Sequence, residues 1–279
     1  MLITYYNNIN EGVGAQYQRI IGLLSIAKRH NIKYIHIPIK IDHNYNNDPD
    51  WDEKWDNMFN IKKLSNNHEI DLKKLKNIYF QENFTLDKNI NDDDTILYQY
   101  TYPFKVFNNN PDYYFNNIKN DLIKAYDENN LNRKLIYNKS KINIAIHIRV
   151  FNKHDVIEYY DDYINNKTIR FYMTCDMYIA YISELKKNYL NSDIHIFSQK
   201  DTFDIHYSKL YDIQNIILHF NDLDTFDTFN HLCKADILVM GLSSFSILAA
   251  FYNKNTVINL PYGNTAMLKK WKLYIPMLI

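Results

Sequence analysis

From Lys141 onward the chain alternates short apolar runs with longer amphipathic ones, and this constrains the fold more than any other feature. Ile142, Ile144, Ile146 and Ile148 recur at every second position, which predicts a buried strand over 142–150. Helices are expected over 170–190, 202–210 and 225–233, and one begins after Ser243. Strands are expected over 194–198, 213–218, 237–240 and 256–260. Strands joined by helix-length connections predict a parallel, doubly wound α/β sheet.

The first part of the chain reads as a second, smaller unit of the same kind. Residues 2–6 form a strand, 12–14 a glycine turn, 16–29 a helix and 34–39 another strand. Ile20, Ile21, Leu23, Leu24 and Ala27 give that helix a broad apolar face. Residues 42–95 are polar and aromatic, with two or three short helices and loops expected. A strand over 95–100 and helices over 112–126 and 128–136 follow. The polar turn 137–141 is the expected boundary, which gives units 1–139 and 140–279. Two Rossmann-like domains facing one cleft is the economical architecture for 279 residues.

Composition narrows the function classes. The 32 basic and 32 acidic residues balance, so no excess charge points to a nucleic acid or a membrane surface. Two cysteines, Cys175 and Cys233, make no disulfide framework, and a reducing compartment is expected. No apolar run approaches the roughly 20 residues of a membrane span. The opening Met1–Tyr6 lacks a basic region and a long apolar stretch, so the expectation is a cytoplasmic protein without a signal peptide. Heavy use of Asn, Ile, Lys and Tyr is typical of AT-rich coding, as in a large DNA virus. Glycine is rationed to five residues, and three of them, Gly12, Gly14 and Gly22, lie near the start.

Three segments carry candidate chemistry. In the last, the strand Ile237–Met240 breaks at Gly241, and Ser243, Ser244, Phe245 and Ser246 open an apolar helix. A strand–glycine–hydroxyl–helix junction suits a phosphate, because backbone N–H groups and the positive end of the helix dipole point out of the turn. The same residues also suit a plain serine-capped helix. The second is His147-Ile-Arg149, at the carboxyl end of the strongest strand. There open α/β sheets bind ligands, and a guanidinium can donate bidentate bonds to a phosphate. Lys153, His154, Asp155 and Glu158 follow in one loop and offer cations for a leaving diphosphate and a carboxylate base. The third is Gly12-Val-Gly-Ala-Gln16, where glycines would let a ligand approach the backbone. It lacks the third glycine and the later acidic residue of a dinucleotide fingerprint. No HExxH, CxxC, Walker or G-x-S-x-G motif occurs, and of the Asp-x-Asp pairs only Asp222-Leu-Asp224 falls at an expected β–α loop.

In order and spacing these pieces resemble the superfamily of α1,2-, α1,6- and protein O-fucosyltransferases. The resemblance rests on Gly12-Val-Gly-Ala-Gln16, His147-Ile-Arg149, Ile194-His-Ile-Phe-Ser-Gln-Lys-Asp201, Phe229–Ile237 and Ser243-Ser-Phe-Ser246 followed by Ala249-Ala250. The α1,2 type is the nearest pattern, and residues 42–135 match poorly. The resemblance implies a GT-B-like fold and metal-independent, inverting transfer from a GDP-sugar, GDP-fucose above all, to a glycan hydroxyl. The donor would sit mainly on the C-terminal half and the acceptor on the N-terminal half. By position, Arg149 would grip the β-phosphate and His147 would place the nucleotide. Ser243, Ser244, Phe245 and Ser246 would contact diphosphate or ribose, and Gly12, Gly14 and Gln16 would border the donor. Asp201 stands where the family keeps an acidic pair. Lys153 with Asp155 or Glu158 answers to the catalytic Lys and Glu of the α1,6 type. The family's glycine after H-x-R is missing, and Val150 stands where a second arginine is common. A different nucleotide sugar, or a degenerate glycan-binding relative, is therefore the alternative expectation.

Overall fold

The computed structural model describes residues 1–6, 11–41, 48–67, 74–75, 77–84, 96–149, 174–220, 222–259 and 268–273. The chain divides into two compact units, 1–132 with 266–268, and 133–265 with 269–279. The expected base-bearing loop with Lys153, Asp155 and Glu158 lies outside the described residues.

Unit 1 contains β1 (Leu2–Tyr5), α1 (Val13–Arg29), β2 (Lys33–Tyr34), α2 (Trp51–Phe59), β3 (Asn77–Asn83) and β4 (Ile96–Tyr102). Then come α3 (Phe104–Asn109), α4 (Pro111–Phe115) and α5 (Lys119–Asn130). The four strands are parallel in the order β2-β1-β4-β3. Helix α1 packs on β1 and β2 and is buried along most of its length. Lys28 and Arg29 in its last turn complement the helix dipole, and Asn31 beyond it adopts φ 54°, a left-handed turn that Asn tolerates.

Unit 1 departs from the sequence expectation in four places, the first being that the helix expected over 112–126 is broken at 116–118 into α4 and α5. Strand β2 stops at Tyr34 rather than Ile39. A side chain takes over the pairing: His36 N donates to Asn67 Oδ1 at 2.8 Å, and Asn67 Nδ2 donates to His36 O at 2.8 Å. Strand β3 lies in the stretch expected to be helices and loops. It is an edge strand with Ile78, Tyr79 and Phe80 all exposed, so it shows no alternation of apolar and polar residues. The helix expected over 128–136 ends at Asn130, whose amide donates to Tyr126 O and Met58 O. Residues 133–137 belong instead to unit 2 and lie against its helix Thr225–Lys234: Arg133 pairs with Asp227, and Ile136 N donates to His231 Nε2 at 3.0 Å.

Unit 2 contains β5 (Ile142–His147), α6 (Cys175–Asn188), β6 (Ser192–Phe197), α7 (Lys200–Tyr207), β7 (Ile216–His219) and α8 (Thr225–Lys234). It continues with β8 (Ile237–Val239), α9 (Ser244–Tyr252), β9 (Thr256–Asn259) and β10 (Lys272–Leu273). All six strands are parallel, in the order β10-β9-β8-β5-β6-β7. Counted within the unit this is 6-5-4-1-2-3, the dinucleotide-fold order. Ile144, Ile146, Ile194, Ile196 and Val239 pack on one face with Tyr181, Ile182, Leu185 and Phe203. Strand β7 begins at Ile216 rather than Ile213, because Asn215 turns through φ 59° just before it. At the carboxyl end of β8, a Cβ on Gly241 would stand 2.3 Å from the carbonyl oxygen of His147 and 3.1 Å from its Nδ1. That close approach requires glycine.

The other face of this sheet is polar and aromatic. Asn143, Ala145 and His147 of β5 share it with His195 and Phe197 of β6 and His219 of β7, as the register requires. His219 Nδ1 donates to Asp222 at 2.6 Å, since the carboxylate can only accept, and a further hydrogen bond of 3.0 Å joins His219 Nε2 to His195 Nδ1. His195 Nε2 is buried without a partner among the described residues. His231 is also satisfied as a neutral ring: Nδ1 donates to Asp227 O at 2.6 Å and Nε2 accepts from Ile136 N. Burial is the main cause that holds His195 down to about 4, and burial also lowers His231.

Two outcomes follow for unit 2. Below pH 6.5 the unfolded chain takes up protons at His195 and His231 that the folded chain does not. Stability therefore falls as pH drops from about 6.5 towards 4, by at most about 1.4 kcal/mol per pH unit for each histidine. Urea unfolding at stepped pH measures the slope, and a flat profile between pH 4.5 and 6 contradicts it. Gly241→Ala should cost about 1–3 kcal/mol through overpacking against His147, read as a lower urea midpoint at unchanged m-value.

Candidate functional site

The sheet of unit 2 reverses its winding between β5 and β8, and ligands of such sheets bind outside the carboxyl ends of the two strands that flank the reversal. Two of the three sequence segments meet at this point. His147 is the last residue of β5, and Gly241 follows β8 and lies against it. Ile148 N still donates to Phe197 O at 3.0 Å, so the chain stays extended and Arg149 returns to the His147 side.

His147 is half-buried, and its Nδ1 has no hydrogen-bond partner among the described residues. Burial first, and the neighbouring Arg149 charge second, lower its pKa to about 3. The ring is thus neutral at pH 7 and carries one N–H to donate. Its other neighbour is Phe245, with ring centroids 5.7 Å apart, and Phe245 rests edge-on against Phe229 at 5.2 Å. This aromatic stack fixes the imidazole beside the first turn of α9.

The serines of that turn divide the work. Ser243 is the N-cap: its Oγ accepts from Phe245 N at 3.2 Å, while its own N–H donates to Gly241 O at 2.8 Å. Ser246 is fully buried, and its hydroxyl donates to Gly241 O or Ser243 O, both at 3.1 Å. Ser244 and Phe245 are the half-exposed members of the group. The turn therefore offers an accessible Ser244, a ring edge and the amide end of a helix, an arrangement that suits an anionic oxygen. Asp201 stands at the second position of α7, just beyond β6.

The glycine segment lies in unit 1, between β1 and α1. Gly12 caps α1 with φ −71° and ψ 163°, a conformation open to any residue, so the backbone does not demand glycine there. Gly14 is buried in the first turn of the helix. Gln16 is fully buried and ties the turn to the chain after β2: its Nε2 donates to Glu11 O at 2.7 Å and to Lys40 O at 3.0 Å. Its Oε1 is buried without a partner among the described residues.

One carboxylate here was not singled out from sequence. Glu11, immediately before the Gly12 turn, is held by two contacts from buried Arg19, one of them Nη2 to Oε1 at 2.6 Å. The Arg19 guanidinium also stacks over Tyr102, the last residue of β4, at 4.3 Å. A partly exposed carboxylate is thus fixed at the carboxyl edge of the unit 1 sheet. The available signal was Glu11 beside a rationed glycine with an arginine two turns into the next helix. By contrast, Asp222 and Asp224 are both engaged: the first binds His219, and the second caps α8 by accepting from Asp227 N at 2.6 Å. Among the described residues no group of three or more His, Cys, Asp or Glu is placed to hold a metal ion. Nor is any described helix long and apolar enough to cross a membrane.

No protein-family model and no curated protein sequence matches the chain. Solved structures do. The crystal structure of POFUT1 in complex with GDP aligns with a TM-score of 0.50 and 12% identity, over 91% of this chain and 94% of that one. POFUT1 with GDP-fucose aligns in one crystal form with a TM-score of 0.49 and 11% identity, over 98% and 97% of the two chains. In a second crystal form the values are 0.48 and 13%, over 91% and 94%. The likeness to the GDP complex, over nearly all of both chains, establishes the fold as α/β and GT-B-like, with parallel sheets.

Proposed function

We propose that the chain is an inverting, metal-independent glycosyltransferase that moves a sugar, fucose from GDP-fucose first among donors, to a glycan hydroxyl. The observation that carries this reading is the meeting of His147, two residues before Arg149, with the Gly241–Phe245 turn at the winding reversal of a dinucleotide-type sheet. The POFUT1 complexes, solved with GDP and GDP-fucose, support the choice of donor.

In this reading the acceptor oxygen attacks the anomeric carbon as the bond to the diphosphate breaks. The electron pair leaves with the nucleoside diphosphate, and Arg149 meets the negative charge that builds up there. Neutral His147 donates its one N–H to a phosphate or ribose oxygen. Ser244 and the first-turn amides of α9 complete the anion pocket. The acceptor proton passes to a carboxylate, Asp155 or Glu158 of the loop beyond Arg149. Asp222 and Asp224 are engaged in structural hydrogen bonds, which supports a reading in which the protein supplies the positive charge at the diphosphate.

Three outcomes test this. GDP at 100 times its Kd should stabilise the protein by about 2.7 kcal/mol, read by thermal shift, while UDP and CMP at the same concentration should give far less. Preferential stabilisation by UDP would instead favour another nucleotide sugar. Arg149→Ala should lower the turnover of GDP-fucose at least a hundredfold, and EDTA should leave the wild-type rate unchanged. Asp155→Asn and Glu158→Gln, compared in single-turnover transfer, identify the base: the larger loss marks it, and no loss in either rules out both.

A further inference from the structure

We propose that Tyr6 and Phe80 form a platform for one sugar ring of the acceptor, a proposal that rests on the glycosyltransferase reading above. Tyr6 follows β1 directly and continues its ladder, with its N–H donating to Tyr100 O at 2.8 Å. Phe80 is in edge strand β3, two strands away. The two rings meet across the sheet at a centroid distance of 4.7 Å and an interplanar angle of 67°, so they form a corner rather than a stack. Both are exposed, Tyr6 by 45% and Phe80 by 57%, and Ile78 beside Phe80 on the same face by 59%.

A corner of this kind suits a pyranose better than a flat apolar partner. The C–H face of a sugar carries partial positive charge and packs on the negative face of one ring, while the other ring closes the side. The hydroxyls around the sugar need polar neighbours, and the same face supplies them. Thr4, Gln99 and Phe80 lie in one row across β1, β4 and β3. Gln99, half-buried between the two aromatic residues, is the polar group that a sugar can reach, and beside it the buried hydroxyl of Thr4 has no hydrogen-bond partner among the described residues. The opposite face of β3 is different in kind, since Tyr79 there is already stacked on Tyr98 at 5.6 Å.

The test is saturation-transfer NMR on the full chain with the methyl β-glycosides of galactose, glucose and N-acetylglucosamine as probes. At least one should bind wild type with signal at its ring C–H protons, and Phe80→Ala and Tyr6→Ala should weaken that binding at least tenfold. Tyr6→Phe, which keeps the ring, should restore it. These side chains are exposed, so the thermal midpoint of each variant reports whether it is folded. The proposal is overturned if no glycoside binds wild type, if Phe80→Ala binds as wild type does, or if wild type is a dimer that Phe80→Ala dissociates. A GDP titration of wild type keeps the two readings apart. Glycoside binding through Phe80 without GDP binding upholds the platform and defeats the donor assignment. GDP binding with a glycoside response indifferent to Phe80 does the reverse.

Discussion

The contact on which the candidate site depends is the approach of Gly241 to the carbonyl of His147. It brings the end of β8 against the end of β5 at the place where the sheet changes its direction of winding. Everything polar at that edge is arranged around it. The Gly241 carbonyl receives the hydroxyl of Ser246 and the N–H of Ser243, so the turn into α9 is tied back to the glycine. The aromatic pair Phe229 and Phe245 then closes on the imidazole. A side chain at 241 would separate the two strand ends and with them the histidine and the helix terminus.

The two faces of the unit 2 sheet solve different problems. One is an ordinary aliphatic core. The other buries three histidines and meets most of their polarity with fixed partners: a carboxylate and a second imidazole for His219, two backbone groups for His231. Burial holds His195 and His231 below the usual histidine range, so protonating either costs stability. His147 belongs to the same face but lies at its edge, where its Nδ1 has no partner among the described residues. The chemistry of the site is in this sense the exposed margin of a polar core.

Much of unit 2 was legible in the sequence because its signals are strong and local. The alternating isoleucines of β5, the amphipathic α6 and the glycine break before Ser243 report directly on buried strands, a packed helix and a turn. Unit 1 was harder for reasons that lie outside the local pattern. Strand β2 is replaced beyond Tyr34 by the side chain of a distant asparagine, and β3 is exposed on both faces, so neither carries the expected period. In the site, sequence located Arg149, His147 and the serines, but it could not distribute their tasks. That Ser246 is committed to the turn while Ser244 is half-exposed depends on helix phase and burial, not on residue type. Glu11 escaped attention because its significance comes from Arg19, two turns away on a helix face that reads as apolar.

Helix α9 has a consequence for how the site would work. From Ser246 to Tyr252 it is buried without interruption, so the turn at its start is anchored in the hydrophobic interior rather than on a movable element. A group that docks on that turn meets donors already locked in place, and little conformational entropy remains to be lost on its side of the ligand. Selectivity at such a wall comes from shape and charge alone, and any closure that accompanies binding has to be made by other parts of the chain.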